Sequence, residues 1–211
     1  MAFTSLLLLG FVLGMRHAID PDHVVAVTAI VSREGSLRRA QWIGALWGIG
    51  HSATVFLVGG TIAVFKLAVP PTLVLGLEFC VGLMLIALGV LNLVSVASVK
   101  APRVTQPLAV GFVHGLAGSA FVAMLISTIV PSPMMVGWYL LLFGIGTVAG
   151  MMLLTSAIAM PAIYFAGRYS DARQHLRVAS GVASVAFGLF LAHRTGFTGA
   201  LLDSASDWIS S

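Results

Sequence analysis

Six apolar runs, each long enough to cross a lipid bilayer, limit what this chain can fold into. A membrane-spanning helix needs about 20 consecutive apolar residues. A mean hydropathy of +1.04 and a charged fraction of only 9% exclude a soluble globular domain. We therefore predict an all-α integral protein that crosses the cell (inner) membrane with six transmembrane helices. The predicted spans are Phe3 to Val31, Ala40 to Phe65, Thr72 to Ala97, Leu108 to Val130, Met134 to Phe165 and Leu176 to His193.

The connections between these runs predict the orientation of the chain. Lys and Arg are concentrated in the first, third and fifth connections, and such residues prefer the cytoplasmic side. Both termini are therefore expected outside the cytoplasm. The first run has no Lys or Arg ahead of it and no cleavage pattern behind it, so we expect it to remain as a helix. Residues 1–211 are predicted to form a single transmembrane domain, with residues 194–211 as a C-terminal tail.

Short glycine-containing motifs indicate that three helices are repeated once. An odd number of helices in each copy turns the second copy upside down, so we predict two inverted three-helix repeats, residues 3–97 and 108–193. Inverted repeats around a site near the bilayer midplane are typical of secondary transporters. The matching pairs are Gly10 to Met15 with Gly111 to Leu116 (offset 101), Trp47 to Gly50 with Phe143 to Gly146 (offset 96), and Gly82 and Gly89 with Gly181 and Gly188 (offset 99).

The segment "RHAIDPDH", Arg16 to His23, places ionisable side chains inside the first predicted span. Each charge at that depth costs about 2.5–3.5 kcal/mol on insertion scales, so the segment needs a purpose. With neutral histidines its net charge is −1, which favours a divalent cation as partner. The alternative is a salt-bridged network that only fixes helix packing, with Arg16 paired to Asp20 four residues later.

The proline in this segment decides which side chains can meet. On an ideal helix His17, Asp20 and His23 fall within about 120° of arc, whereas Asp22 points the other way. Pro21 cannot donate a hydrogen bond to the carbonyl of His17, so it should kink or open the helix. Such an opening could swing Asp22 round and expose a carbonyl as a further oxygen ligand.

Two further histidines lie inside predicted helices, one near the centre of the second span and one in the fourth. Imidazole and carboxylate donors together suit nickel, cobalt, zinc or copper(II). A single Cys80 excludes a thiolate cluster, and no prosthetic group is expected. For His51, and more strongly for His114, a structural histidine hydrogen-bonded between helices is the alternative. The candidate metal ligands are His17, Asp20, Asp22, His23, His51 and His114.

The spacing H-x-x-x-x-D-H, formed by His17, Asp22 and His23, resembles the signature helix of the nickel/cobalt transporter family, and "GIGHSATV" is similar to that family's second motif. The resemblance covers two of the six predicted helices. It implies that these three residues recognise the metal, with His51 as the second-motif histidine. Family members are commonly longer, with eight helices and a later acidic motif, where this chain offers His114 but no carboxylate. The chain is more similar to the short, six-helix branch described as urease-accessory or permease-like.

These patterns together predict a nickel/cobalt secondary transporter that moves a divalent cation through a His/Asp site at mid-bilayer. No Gly-Lys-Ser/Thr phosphate loop is present, so ATP hydrolysis is not expected, and neither is any other enzyme activity. The alternatives are a membrane-embedded zinc-dependent hydrolase and a membrane subunit of a larger metal permease. The expected partners are the divalent ion and the lipid bilayer but no nucleic acid; a homo-oligomer or an accessory subunit is left open.

Overall fold

The computed structural model describes residues 3–32, 34–94, 105–130, 132–168 and 172–196, and all secondary structure in these ranges is helical. The predicted tail beyond residue 196, and residues 95–104 at the junction of the predicted halves, lie outside the described residues. The helices are α1 (Phe3–His17), α2 (Pro21–Val31), α3 (Leu37–Thr54), α4 (Gly60–Phe65), α5 (Pro71–Val94), α6 (Thr105–Ile129), α7 (Pro133–Arg168) and α8 (Ala172–Gly196).

Within the described ranges, five helical stretches are long and apolar enough to cross a membrane, and α1 with α2 gives a sixth when the two are taken as one bent span. Large apolar side chains are exposed on the outside of the bundle, for example Phe121, Met124 and Met134. A lipid-facing surface explains this exposure, because the hydrocarbon core of a bilayer is as apolar as these side chains. The prediction of an all-helical, multi-pass membrane protein is therefore confirmed.

The first predicted span is not one continuous helix. Helix α1 ends at His17, and α2 begins at Pro21 after a bend of 55°. Pro21 occupies the first turn of α2, where its fixed φ fits and its missing N–H leaves no helical bond unmade. Asp20 precedes it in an extended conformation. The break that the proline predicted therefore occurs, and it places His17 and His23 in two different helices.

The second span also departs from a regular α-helix. A π-helical turn, Val55–Gly59, joins α3 to α4 within the continuous stretch Leu37–Phe65. A π-helical turn holds more residues than an α-helical turn, so it changes the direction of the side chains that follow it. The stretch ends where Lys66 adopts a left-handed conformation with φ of 52°.

Glycines hold the central helices backbone to backbone. A Cβ added to Gly14 in α1 would overlap the carbonyl oxygen of Phe143 in α7, and a Cβ added to Gly111 in α6 would overlap that of Trp47 in α3. Small residues allow this close approach in membrane bundles. Helices α1, α3, α6 and α7 are thus fixed against one another around the bend between α1 and α2.

Candidate metal centre

Four histidines from four helices meet beside the break in the first span. His17 ends α1, His23 lies in the first turn of α2, His51 lies in α3 and His114 in α6. The last three are buried, with exposures of 1–3%, whereas the side chain of His17 is 18% exposed. Their rings are in contact: the ring centroids are 4.9 Å apart for His17 and His51, and 5.1 Å apart for His23 and His114. Buried polar groups such as these need partners in the protein, in bound water or in a bound ion.

The ligand atoms of this centre form two overlapping groups. In the first, which we call the histidine triad, one ring nitrogen each of His17, His23 and His51 lies within 4.8 Å of the others. In the second, the aspartate group, the same holds for ligand atoms of Asp22, His23 and His114. The shortest contacts are 3.0 Å between the Nε2 atoms of His17 and His51, and 3.6 Å between His114 Nε2 and Asp22 Oδ2.

In three of the imidazoles, a hydrogen bond from Nδ1 to an oxygen acceptor orients the ring. His17 donates from Nδ1 to Asp20 Oδ2 at 2.7 Å. His23 donates from Nδ1 to the carbonyl oxygen of His17 at 3.0 Å, and His114 from Nδ1 to that of Val110 at 3.3 Å. A proton on Nδ1 of a neutral imidazole leaves the lone pair on Nε2, and metal-binding histidines are oriented by carboxylate and carbonyl acceptors in this way.

Several buried polar atoms at the centre have no protein partner for a hydrogen bond. Among the described residues these include His51 Nδ1, His114 Nε2 and the indole Nε1 of Trp47. Trp47 is fully buried, and its ring stands 5.1 Å from that of His114. Buried polar atoms are almost always satisfied by protein, water or an ion. The centre therefore has unused capacity to bind a polar or charged species.

Asp22 differs from what ideal helix geometry predicts, whereas Asp20 lies on the side of His17, as that geometry predicts. Asp22, expected to point away, faces His114, because the break at residues 18–20 starts a new helix with its own phase. Asp20 accepts a hydrogen bond from Nδ1 of His17 and so orients that ring. The alternative pair of Arg16 with Asp20 is not found in the described part of the chain. The opening that the proline was expected to cause is the feature that brings Asp22 to the centre.

The sequence reasoning missed two residues of the centre. Trp47 packs against the rings of His114 and His23, and its position four residues before His51 on α3 could have signalled this. Gly118 presents no side chain to the centre: a Cβ there would lie 3.9 Å from His51 Cε1 and 4.0 Å from His17 Nε2. It lies four residues after His114, on the same face of α6. Both residues shape the space between the imidazoles.

Comparison with known proteins relates the chain to a family. It is 33% identical over 213 aligned residues to the urease accessory protein UreH of Bacillus sp. (strain TB-90), and the match covers 92% of this chain and 93% of that protein. The chain belongs to the UreH family. This agrees with the predicted resemblance at the level of the family. The Bacillus UreH is named as an accessory protein of an enzyme and not as the enzyme itself, in line with the expectation that this chain has no enzyme activity.

This UreH-family chain is also similar to two proteins of Arabidopsis thaliana. It is 26% identical over 202 residues to chloroplast protein FOR GROWTH AND FERTILITY 2, and 27% identical over 170 residues to FOR GROWTH AND FERTILITY 1. It spans 54% and 46% of their lengths, which is about half of each. No family model and no solved structure matches the chain.

Proposed function

We propose that this UreH-family protein is a secondary transporter that moves nickel or cobalt across the cell (inner) membrane. The observation that carries the proposal is the meeting of four imidazoles from four helices, three of which donate from Nδ1 to a protein acceptor and so carry their lone pair on Nε2. Imidazole with carboxylate suits these metals. The resemblance of the first motif to nickel/cobalt transporters supports the choice, as does the similarity to the urease accessory protein of Bacillus.

The distances at the centre suit ligands of a transition-metal ion. Donor atoms bound at about 2.1 Å from one ion stand about 3 Å apart at a right angle, and about 4.2 Å apart on opposite sides. The contact of 3.0 Å between His17 and His51, and that of 3.6 Å between His114 and Asp22, both fall in this range. Small adjustments of side chains would therefore complete an ion site.

The position of the charges implies that water reaches the break in the first span. The side chains of Asp20 and Asp22 are 47% and 33% exposed, and Arg16 is exposed beside them. Facing lipid, each charge would cost about 2.5–3.5 kcal/mol. Non-helical backbone at membrane depth is tolerated where it lines a water-filled cavity. The break therefore serves as the aqueous approach of the hydrated ion.

The membrane potential suffices to drive inward transport. A divalent ion gains about 4.6 kcal/mol per 100 mV, because one elementary charge gains about 2.3 kcal/mol. That free energy corresponds to roughly a thousandfold accumulation. Uptake therefore needs no ATP hydrolysis by this chain.

Glycine contacts support the proposal that the protein consists of two inverted three-helix halves. Gly14 faces the carbonyl of Phe143, and Gly111 faces the carbonyl of Trp47. Phe143 and Trp47 are equivalent in the repeat, because each directly precedes a Gly-Ile-Gly motif. In the same way a Cβ on Gly146 would overlap the carbonyl of Phe11, and one on Gly50 that of Leu108. Such reciprocal contacts are what a twofold relation between the halves would produce.

From these contacts we also infer how the residues of the two halves align with each other. They pair Gly14 with Gly111, an offset of 97, one helical turn less than the offset of 101 in the sequence motifs. In this register His17 corresponds to His114, and His51 to Thr147. The halves would then contribute equivalent histidines to a centre near their common axis. Rocking of one half against the other would open that centre to either side.

Uptake of radiolabelled nickel and cobalt tests the proposed function. Cells that express the wild type, His17→Ala or the control His175→Ala, an exposed histidine of α8, are compared at equal amounts of membrane-inserted protein. Loss of even an outer partner of a metal ligand lowers metal affinity by about 10–100-fold. We therefore expect His17→Ala to reduce accumulation at sub-saturating metal by about tenfold or more and the control to have no effect. Equal accumulation in all three would contradict the proposal.

A further inference from the structure

The histidine triad and the aspartate group share one residue, His23. Among the described residues, the other members belong to one group each: His17 and His51 to the triad, Asp22 and His114 to the aspartate group. Whether an ion can use both groups at once therefore depends on how many ligand atoms His23 can offer.

His23 can ligate through one atom only. Its Nδ1–H donates to the carbonyl oxygen of His17 at 3.0 Å, so Nδ1 has no lone pair for a metal. The lone pair on Nε2 can bind one ion at a time. His23 is also 2% exposed and enclosed by the rings of His17, His51, His114 and Trp47, which restrict its rotation. The two groups therefore cannot be filled together with His23 as a ligand in both.

The two groups differ in charge. The aspartate group carries the carboxylate of Asp22, whereas the triad consists of three imidazoles. Opposite charges a few ångströms apart attract, and more strongly on the side where the buried rings of His23 and His114 exclude water. A divalent cation is therefore held more firmly in the aspartate group than in the triad.

The groups differ also in their hydrogen bonds when no ion is bound. With His17 neutral and its proton on Nδ1, His51 Nε2 donates to His17 Nε2 in the 3.0 Å contact. A metal in the triad would require His51 to adopt its other neutral tautomer, with the proton on Nδ1. In the aspartate group, by contrast, His114 Nε2 and Asp22 Oδ2 are two acceptors facing each other at 3.6 Å. Only a cation or a proton between them makes that contact favourable.

We propose that the transported ion occupies two alternative positions, resting in the aspartate group and passing through the histidine triad, with His23 as the ligand common to both. This inference rests on the proposed transport function and specifies how its centre operates. During transfer, His23 stays bound while Asp22 and His114 are exchanged for His17 and His51. Exchange around a retained ligand keeps the ion coordinated throughout and avoids the cost of a free ion at mid-bilayer.

X-ray absorption of the nickel-loaded, purified full-length protein tests the proposal, because the spectrum reports the number of imidazole ligands. The wild type should bind one nickel ion with two imidazoles and a carboxylate. His114→Ala should still bind one ion, now with three imidazoles, because the ion moves to the triad. His51→Ala should keep the wild-type spectrum but lose transport about tenfold or more. His175→Ala, the control, should match the wild type in spectrum and uptake.

The outcomes separate this inference from the function on which it rests. Failure of the wild type to bind either nickel or cobalt would overturn the proposed transport function itself. One ion bound by four imidazoles, falling to three in His114→Ala, would indicate a single site and overturn only the two-position inference. Two ions per chain would overturn it as well, because His23 could not be shared. A rise from two imidazoles to three on removal of a histidine is explained only by movement of the ion.

Discussion

At the scale of single residues, the space between the imidazoles depends on a residue with no side chain. A Cβ on Gly118 would make ordinary van der Waals contact with His51 Cε1 and His17 Nε2, so alanine fits there. A longer side chain would extend into the region where an ion has to meet those rings. We expect Gly118→Ala to retain most nickel uptake and Gly118→Leu to lower it about tenfold or more, because the ion could no longer pass between His17 and His51.

The matched control for this pair is Gly76→Leu. A Cβ at Gly76 in α5 would have nothing within 4 Å, so leucine there should affect neither folding nor uptake. Size-exclusion profiles of the detergent-purified variants check the fold, and uptake of radiolabelled nickel measures passage of the ion. Unchanged uptake in Gly118→Leu would mean that the ion does not pass between His17 and His51.

The residues of the centre were predictable by type, but only partly by role. His17, His23 and His51 carry a strong signal, because imidazoles inside apolar helices are rare and costly. The roles of the aspartates depend on the break between α1 and α2, and the sequence does not determine how α2 is rotated relative to α1. Ideal helix geometry therefore predicted that Asp22 points away, whereas it faces the ring of His114. Gly118 contributes by leaving space beside His17 and His51. That space exists only once the neighbouring helices are packed, so the sequence alone does not reveal it.

At the scale of elements, the break between α1 and α2 determines how the centre is supported. The carbonyl oxygen of His17 accepts from the Asp20 N–H at 3.1 Å and from His23 Nδ1 at 3.0 Å. In a continuous helix it would instead accept from the N–H of residue 21. Pro21 has no N–H, so the carbonyl stays accessible to the imidazole of His23. The proline thus orients the ligand shared by the two groups.

Replacing this proline should therefore weaken metal binding without removing a ligand. In Pro21→Ala the new N–H competes for the carbonyl of His17 and releases Nδ1 of His23. We expect nickel affinity to fall about 10–100-fold, as for other losses of support around a metal ligand, in a titration of purified protein. The control is Pro71→Ala, at the start of α5 and exposed, which should not change affinity. Equal affinities in both variants would show that the carbonyl does not orient His23.

The existence of the helices followed from the sequence far better than their irregularities did. Apolar runs predict spans because each must satisfy its backbone hydrogen bonds inside lipid. The helix that begins at Pro133 starts one residue from the predicted boundary at Met134. The π-helical turn Val55–Gly59 has no comparable signal, because its residues, Val-Phe-Leu-Val-Gly, are as apolar as the rest of the span.

At the scale of the whole molecule, transport by rocking requires the two proposed halves to move against each other beside the centre. Helix α3 of the first half and α7 of the second meet at Ser52, next to His51, and Gly144. Ser52 Oγ donates to the Gly144 carbonyl at 3.2 Å, and a Cβ on Gly144 would lie 3.1 Å from that of Ser52. Cβ atoms of a disulfide stand about 3.5–4.5 Å apart, so a shift of a few tenths of an ångström would accommodate a cross-link.

A disulfide between Ser52→Cys and Gly144→Cys, made in a Cys80→Ser background to remove the exposed native thiol, should therefore stop transport while leaving the ligands in place. We expect the oxidised double variant to bind nickel as the wild type does and to lose uptake by about tenfold or more, with recovery on reduction. Each single cysteine variant treated with the same oxidant controls for the substitution itself. Because the cross-link fixes α3 to α7, continued uptake by the fully oxidised protein would require the ion to cross without movement at this contact, and the rocking of two halves would have to be abandoned.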